Sequence, residues 1–339
     1  MNTTPSPLTH PHERALVLGG GGSTGNAWLI GIVAGLFDAG LDVTQADLTI
    51  GTSAGSTAAA QFAGARPAEL FAAASVAPPP RTAPPGATAP GSVTPVSAAT
   101  SSAPASGSAA PPSGAPGVAP SASDSRPAPL RPTAEHFERM LATIAASSDA
   151  ADYRRRIGAV GREREEASGA SVRDSWRSAV AARLPRPDWP ERRILITAID
   201  ATTGDPVVFD RDSGVDLVDA VAASCAGSVA YRIGERLYLD GGYRSNAENA
   251  DLAAGCDRVL VLSPLGARSL TPEEWGTHPS TQVEELRTHG SRVEVVIPDP
   301  DAEHLFGTNA MNLSLRPAAA RAGYDQGRAL APNLGAFWN

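Results

Sequence analysis

A short apolar run, Ala15–Leu18, breaks into four consecutive glycines, Gly19–Gly22, and a long apolar stretch follows almost at once. Few backbones accept that order. The run reads as a buried strand entering a tight loop. Asn26–Ala39 is apolar nearly all round, which fits a helix buried on every side, with Gly40 as its stop. Glycines between strand and helix let the chain turn sharply and aim N–H groups into open space beside a helix N-terminus. Such a nest holds an anion, either a phosphate or the oxyanion of an acyl-transfer intermediate. Gly20, Gly21, Gly22, Ser23, Thr24 and Gly25 are therefore the first candidate site. The same glycines fit the G-x-G-x-x-G dinucleotide fingerprint, with Asp42 or Asp47 as the ribose-binding acid.

The strand–turn–helix pattern recurs. Asp47–Ile50 leads into Gly51-Thr52-Ser53-Ala54-Gly55, then an Ala-rich helix closing near Gly64. G-x-S-x-G at such a junction is the nucleophile-elbow arrangement: flanking glycines relieve a crowded turn and the serine hydroxyl projects out. The bland reading is a turn made of small residues. Far downstream, the strand Arg236–Leu239 ends in Asp240-Gly241-Gly242. A carboxylate followed by two residues without side chains is open to close approach, although Asp-Gly is also a common turn.

Further strands are expected at Ile194–Ile199, Val207–Phe209, Arg258–Leu262 and Val293–Ile297, with a helix over Asp216–Ala223. Strands alternating with helices imply an α/β fold, a mostly parallel central sheet flanked by helices in three layers. Residues 78–132 are different material. These 55 residues hold 15 of the 30 prolines, and their only large apolar side chains are Val93, Val96, Val118 and Leu130. Such a segment cannot offset the entropy of ordering itself, so a disordered Pro/Ala/Ser-rich insertion is expected. The organisation read from the sequence is a flexible segment over 1–13 and one domain over 14–339. The insertion and a helical cap-like segment over 133–185 interrupt that domain. Arg154 to Glu166 reads as a solvated helix face.

The three motifs together resemble the patatin-like phospholipase family in order and spacing: a glycine-rich loop near the start, G-x-S-x-G about thirty residues later, and Asp-Gly-Gly well downstream. Ala223-Ser224-Cys225-Ala226, Asn249-Ala250-Asp251-Leu252-Ala253, Gly307-Thr308-Asn309 and Gly323-Tyr324-Asp325-Gln326-Gly327 extend the likeness over 14–75 and about 190–330. The resemblance implies a serine acyl hydrolase of lipid esters with Ser53 as nucleophile and Asp240 as base. It assigns Gly20–Gly25 to the oxyanion hole, and Gly51, Thr52, Ala54, Gly55, Gly241 and Gly242 to the framing motifs. The chain departs from the family at Thr24, where many members carry Arg or Lys, and at Gly227-Ser228, where many carry proline.

Other readings remain open. A Ser-His-Asp esterase would draw its base from His278, His289 or His304. A lipid-binding relative with weak catalysis and a dinucleotide-binding protein are the others. The net charge of −8 leaves no basic excess for nucleic acid. No Cys or His cluster has metal-ligand spacing, and no cofactor is expected. The two cysteines make no disulfide framework. Ala27–Phe37 is far shorter than the roughly 20 residues that span a bilayer. The expectation is a cytoplasmic protein acting on a lipid or fatty-acyl ester, with any membrane contact peripheral and the oligomeric state left open.

Overall fold

The computed structural model describes residues 13–77 and 134–339, with 134–137 described by backbone alone. The expected flexible segment and proline-rich insertion lie outside the described residues, except for Glu13. The elements in chain order are β1 (Arg14–Leu18), α1 (Gly22–Asp38), β2 (Leu48–Gly51), α2 (Ala54–Gly64), α3 (Pro67–Ala74), α4 (Ala134–Ala145), α5 (Ala150–Ser168) and α6 (Ala170–Ala181). Then come β3 (Arg193–Asp200), β4 (Pro206–Phe209), α7 (Leu217–Ser224), β5 (Tyr231–Ile233), β6 (Arg236–Asp240), β7 (Arg258–Leu262), α8 (Pro279–Thr288), β8 (Arg292–Val296) and α9 (Arg316–Trp338).

The strands form one eight-stranded sheet. β3, β2, β1, β7 and β8 run parallel, while β4 and β6 pair antiparallel with β3 and β5 with β6. The mostly parallel three-layer α/β/α expectation holds. Alternation along the strands divides the core. Leu16, Leu18, Ile196 and Leu260 meet α1, α2, α7 and α9 on one face. Val17, Ile50, Leu195 and Val261 meet α8 and the turn Ala250–Ala253 on the other. α5 covers the second face at its far edge, where Gly161 lies against Leu239.

Register along β3 positions the site. Ile196 pairs with both Gly51 and Phe209, and Ala198 with both Val207 and Asp240. A strand has two edges, so β4 takes one and β2 and β6 share the other, meeting end to end. The last residue of β2 and the last residue of β6 thus stand two residues apart on β3. β1 lies on the opposite side of β2 and runs parallel to it, so its glycine loop leaves the sheet at the same edge.

α1 is buried on nearly every side, as its composition required. It reaches that burial by close backbone approach to α9. A Cβ on Gly31 would lie 2.1 Å from the Ala320 carbonyl oxygen, and one on Gly327 would lie 2.4 Å from that of Ile32. The segment read as cap-like supplies α4, α5 and α6. Trp176 of α6 donates to the Ala222 carbonyl of α7 at 3.1 Å, and Ala230 N–H donates to Gly161 of α5 at 3.0 Å. The expected solvated face is also partly engaged, since Arg154 donates to the Gly204 and Arg244 carbonyls. Among the described residues no helix is long and apolar enough to cross a membrane.

Candidate active site

Ser53 stands between β2 and α2 with φ 52° and ψ −113°. A side chain in that left-handed region is strained, and strain of this kind costs about 1–3 kcal/mol. The flanking glycines leave no alternative packing. A Cβ on Gly51 would lie 2.6 Å from Ser56 Cα, and one on Gly55 would lie 1.8 Å from the Leu18 carbonyl oxygen. The turn is clamped from α7: Ser53 N–H donates to Ser224 Oγ at 3.0 Å, and Cys225 Sγ–H donates to the Ser53 carbonyl at 3.1 Å.

Asp240 arrives beside it at the end of β6. Its carboxylate accepts from Gly242 N–H at 2.8 Å. Burial pushes its pKa up to about 6, opposed by the Gly242 hydrogen bond and by a smaller influence from the Ser53 side chain. The Asp-Gly-Gly motif has a steric reason here. A Cβ on Gly241 would lie 2.0 Å from Thr197 Oγ1 of β3, so only glycine follows the acid at that point.

One residue ties the two motifs together. Asn249, itself in the left-handed region at φ 55°, donates from Nδ2 to Thr52 Oγ1 at 3.0 Å and to the Gly241 carbonyl at 3.0 Å. Thr52 Oγ1 also bonds Thr197 Oγ1 at 2.9 Å. Sequence reasoning noted Asn249 only within a longer likeness and missed Thr197. A threonine within a run of aliphatic strand residues was the available signal.

The glycine loop lies against the elbow, with the Cβ position of Gly20 only 3.6 Å from Ser53 Cβ. Its N–H groups are not equivalent. Gly20 donates to the Ala247 carbonyl at 2.8 Å, Thr24 to Ala310 at 2.9 Å and Gly25 to Gly21 at 3.0 Å. Those three residues therefore support the loop rather than offer donors, which narrows the expected oxyanion set. Gly21, Gly22 and Ser23 carry the remaining N–H groups of the loop, and Ala54 carries the one that follows Ser53. Pro264 packs on Gly21 and Gly25 and braces the loop from the end of β7. Beneath it lies Glu248, fully buried, accepting from Ser263 Oγ at 2.5 Å. Burial pushes the Glu248 pKa up to about 7, and no sequence motif pointed to this residue.

The remaining expectations fall elsewhere. Asp47 accepts from Arg14 N–H at 2.8 Å at the opposite end of β1 from the glycines, and Asp42 accepts from Thr44 N–H at 3.0 Å within its own turn. Neither is placed for a ribose. The histidines face the backbone of their own segments: His278 reaches the Thr271 carbonyl, His289 that of Glu285 and His304 that of Asp301. Gly227, at the position where the resembled family often has proline, has open space around its Cβ position, and its carbonyl accepts from Tyr243 Oη at 2.6 Å. Among the described residues no group of three or more His, Cys, Asp or Glu is arranged to hold a metal ion.

No protein-family model matches the chain. No curated protein sequence matches it. Among solved structures it is similar to the crystal structure of VipD from Legionella pneumophila, at 12% identity and a TM-score of 0.41, over 98% of this chain and 69% of that one.

Proposed function

We propose that the chain is a serine acyl hydrolase of the patatin-like kind, cleaving ester bonds of lipids through Ser53 and Asp240. One observation carries the reading: a strained, positive-φ serine between strand and helix is brought beside a half-buried carboxylate by strands that meet end to end.

Asp240 accepts the Ser53 hydroxyl proton as the oxygen attacks the ester carbonyl. A lone carboxylate at its ordinary pKa is a weak base for an alcohol, and burial raises Asp240 toward a useful value. The tetrahedral oxyanion is met by backbone N–H groups from Gly21, Gly22 or Ser23 and from Ala54. Each such donor is worth about 3–4 kcal/mol in other acyl-transfer enzymes. Asp240 gives that proton to the departing alcohol, then takes one from the water that attacks the acyl-serine and returns it to Ser53 Oγ as the free acid leaves. The substrate is a lipid or fatty-acyl ester, reached by peripheral contact with the lipid surface. Ser53→Ala, assayed on a short-chain p-nitrophenyl ester, tests the reading. Turnover at the parental rate in that variant contradicts it.

A further inference from the structure

Arg316, the first residue of α9, reaches into the glycine loop. Its Nη1 donates to the Ser23 carbonyl at 2.7 Å and to Ser23 Oγ at 3.2 Å, and its Nη2 donates to Asn26 Oδ1 at 3.1 Å. Three of the five N–H donors of a guanidinium are thereby used. Nε–H and the second Nη2–H remain, and these form the side edge that pairs with carboxylate or phosphate oxygens two at a time.

Asn26 links Arg316 to a second arginine. Its Nδ2 donates to Gln61 Oε1 at 3.0 Å, and Gln61 Nε2 donates to the Arg183 carbonyl at 3.1 Å. The Arg183 guanidinium lies 5.4 Å from the centre of the Trp176 ring. Burial, and after it the Arg183 charge, push the Arg316 pKa down, so the two cations are within electrostatic reach of each other. Burial, and after it the Asp240 charge, push up the thiol of Cys225, which donates to the Ser53 carbonyl, and the Arg183 charge is the smallest opposing influence.

Neither arginine has a carboxylate partner among the described residues. Arg177, Arg232 and Arg244 each have one at 2.8 Å, in Asp219, Glu165 and Asp251. A half-buried guanidinium beside another cation and without a counter-ion is an unfavourable arrangement, which a bound anion relieves. The Oγ1 of fully buried Thr24, one residue from Ser23, also lacks a hydrogen-bond partner. We propose that Arg316 and Arg183 form an anion-recognition element beside the nucleophile, selecting esters that carry a phosphoryl group. This rests on the acyl-hydrolase reading above.

The test uses the full chain and its Arg316→Gln, Arg316→Lys and Arg183→Gln variants. Inorganic phosphate is the probe in thermal-shift titrations, which need no hydrolysis. Dihexanoylphosphatidylcholine and dihexanoylglycerol, both below their aggregation limits, are the substrate pair. Phosphate is expected to raise the melting temperature of the parent and not of Arg316→Gln. The preference for the phospholipid, as a ratio of kcat/KM values, is expected to fall about tenfold or more in both glutamine variants. Arg316→Lys keeps the charge without the fork and is expected to fall between. Arg183 is exposed, so its variant folds even where an Arg316 variant does not. Phosphate stabilisation lost in Arg316→Gln without any phospholipid preference in the parent would overturn the ester selectivity and leave a site for free phosphate only. No stabilisation of the parent by phosphate, or a preference unchanged across the variants, overturns the proposal. If phosphate binds through Arg316 while no ester is cleaved, the hydrolase reading fails and the anion site stands.

Discussion

Ser53 holds a conformation that a serine adopts only under constraint, at φ 52°. A glycine at that position would relax without moving its neighbours. Ser53→Gly should therefore melt a few degrees above the parent while losing all ester hydrolysis, the gain being about 1 kcal/mol or more. A lower melting temperature, read by circular dichroism, would show that the hydroxyl stabilises the fold and that the strain reading is wrong. Asp240 gives a second expectation. In the proposed reaction the base works as the carboxylate, and burial raises the Asp240 pKa to about 6, so kcat/KM for a neutral ester should rise with pH through about 6 and then level off. A limb near the ordinary aspartate value would place Asp240 in a wetter setting than the one described. Asp240→Asn should remove the activity at every pH.

At the scale of elements, the α1–α9 contact does much of the positioning. Gly31 and Gly35 of α1 lie against the backbone of Ala320 and Tyr324 of α9, and Gly323 and Gly327 of α9 against that of Trp28 and Ile32, at distances that leave no room for a methyl group. α1 begins in the glycine loop and α9 carries Arg316, so separating the two helices disturbs both. Gly327→Leu should destabilise the protein by several kcal/mol, in line with overpacking of close-packed backbone, and a melting curve within about 2 °C of the parent would contradict this. The legibility of the chain follows the same division. β1, β2 and β6 were readable because short apolar runs end in glycine or in Asp-Gly-Gly, and β7 because its apolar run stops at Ser263-Pro264. α1 starts at Gly22 rather than Asn26, because glycines that look like loop form its first turn. α9 was not readable as one helix. Pro332 interrupts its interior and its glycines lower its propensity, yet packing on α1 overrides both. β5, three residues long, has too few residues to show a period. The three site motifs were legible because each needs glycine at a steric contact. Thr197, Glu248 and Arg316 were not, because their roles come from burial and partners that the sequence does not display.

For the molecule as a whole, pH links stability to the site. Glu248 is fully buried with its pKa raised from 4.5 to about 7, so the folded state holds its proton where the unfolded chain releases it. Between those values the native state binds more protons, and stability falls as pH rises through that window. Glu248→Gln should remove the loss, making the melting temperatures at pH 5 and pH 8 differ by about 5 °C less than in the parent. An unchanged difference would mean that Glu248 titrates normally. In the proposed reaction Ser53 is the acylated residue. The direct measurement is intact-protein mass spectrometry after reaction with a fluorophosphonate, followed by peptide mapping. A single adduct carried by Ser53 is expected, absent in Ser53→Ala and slowed in Asp240→Asn. An adduct on another serine that persists at full rate in Ser53→Ala would contradict it.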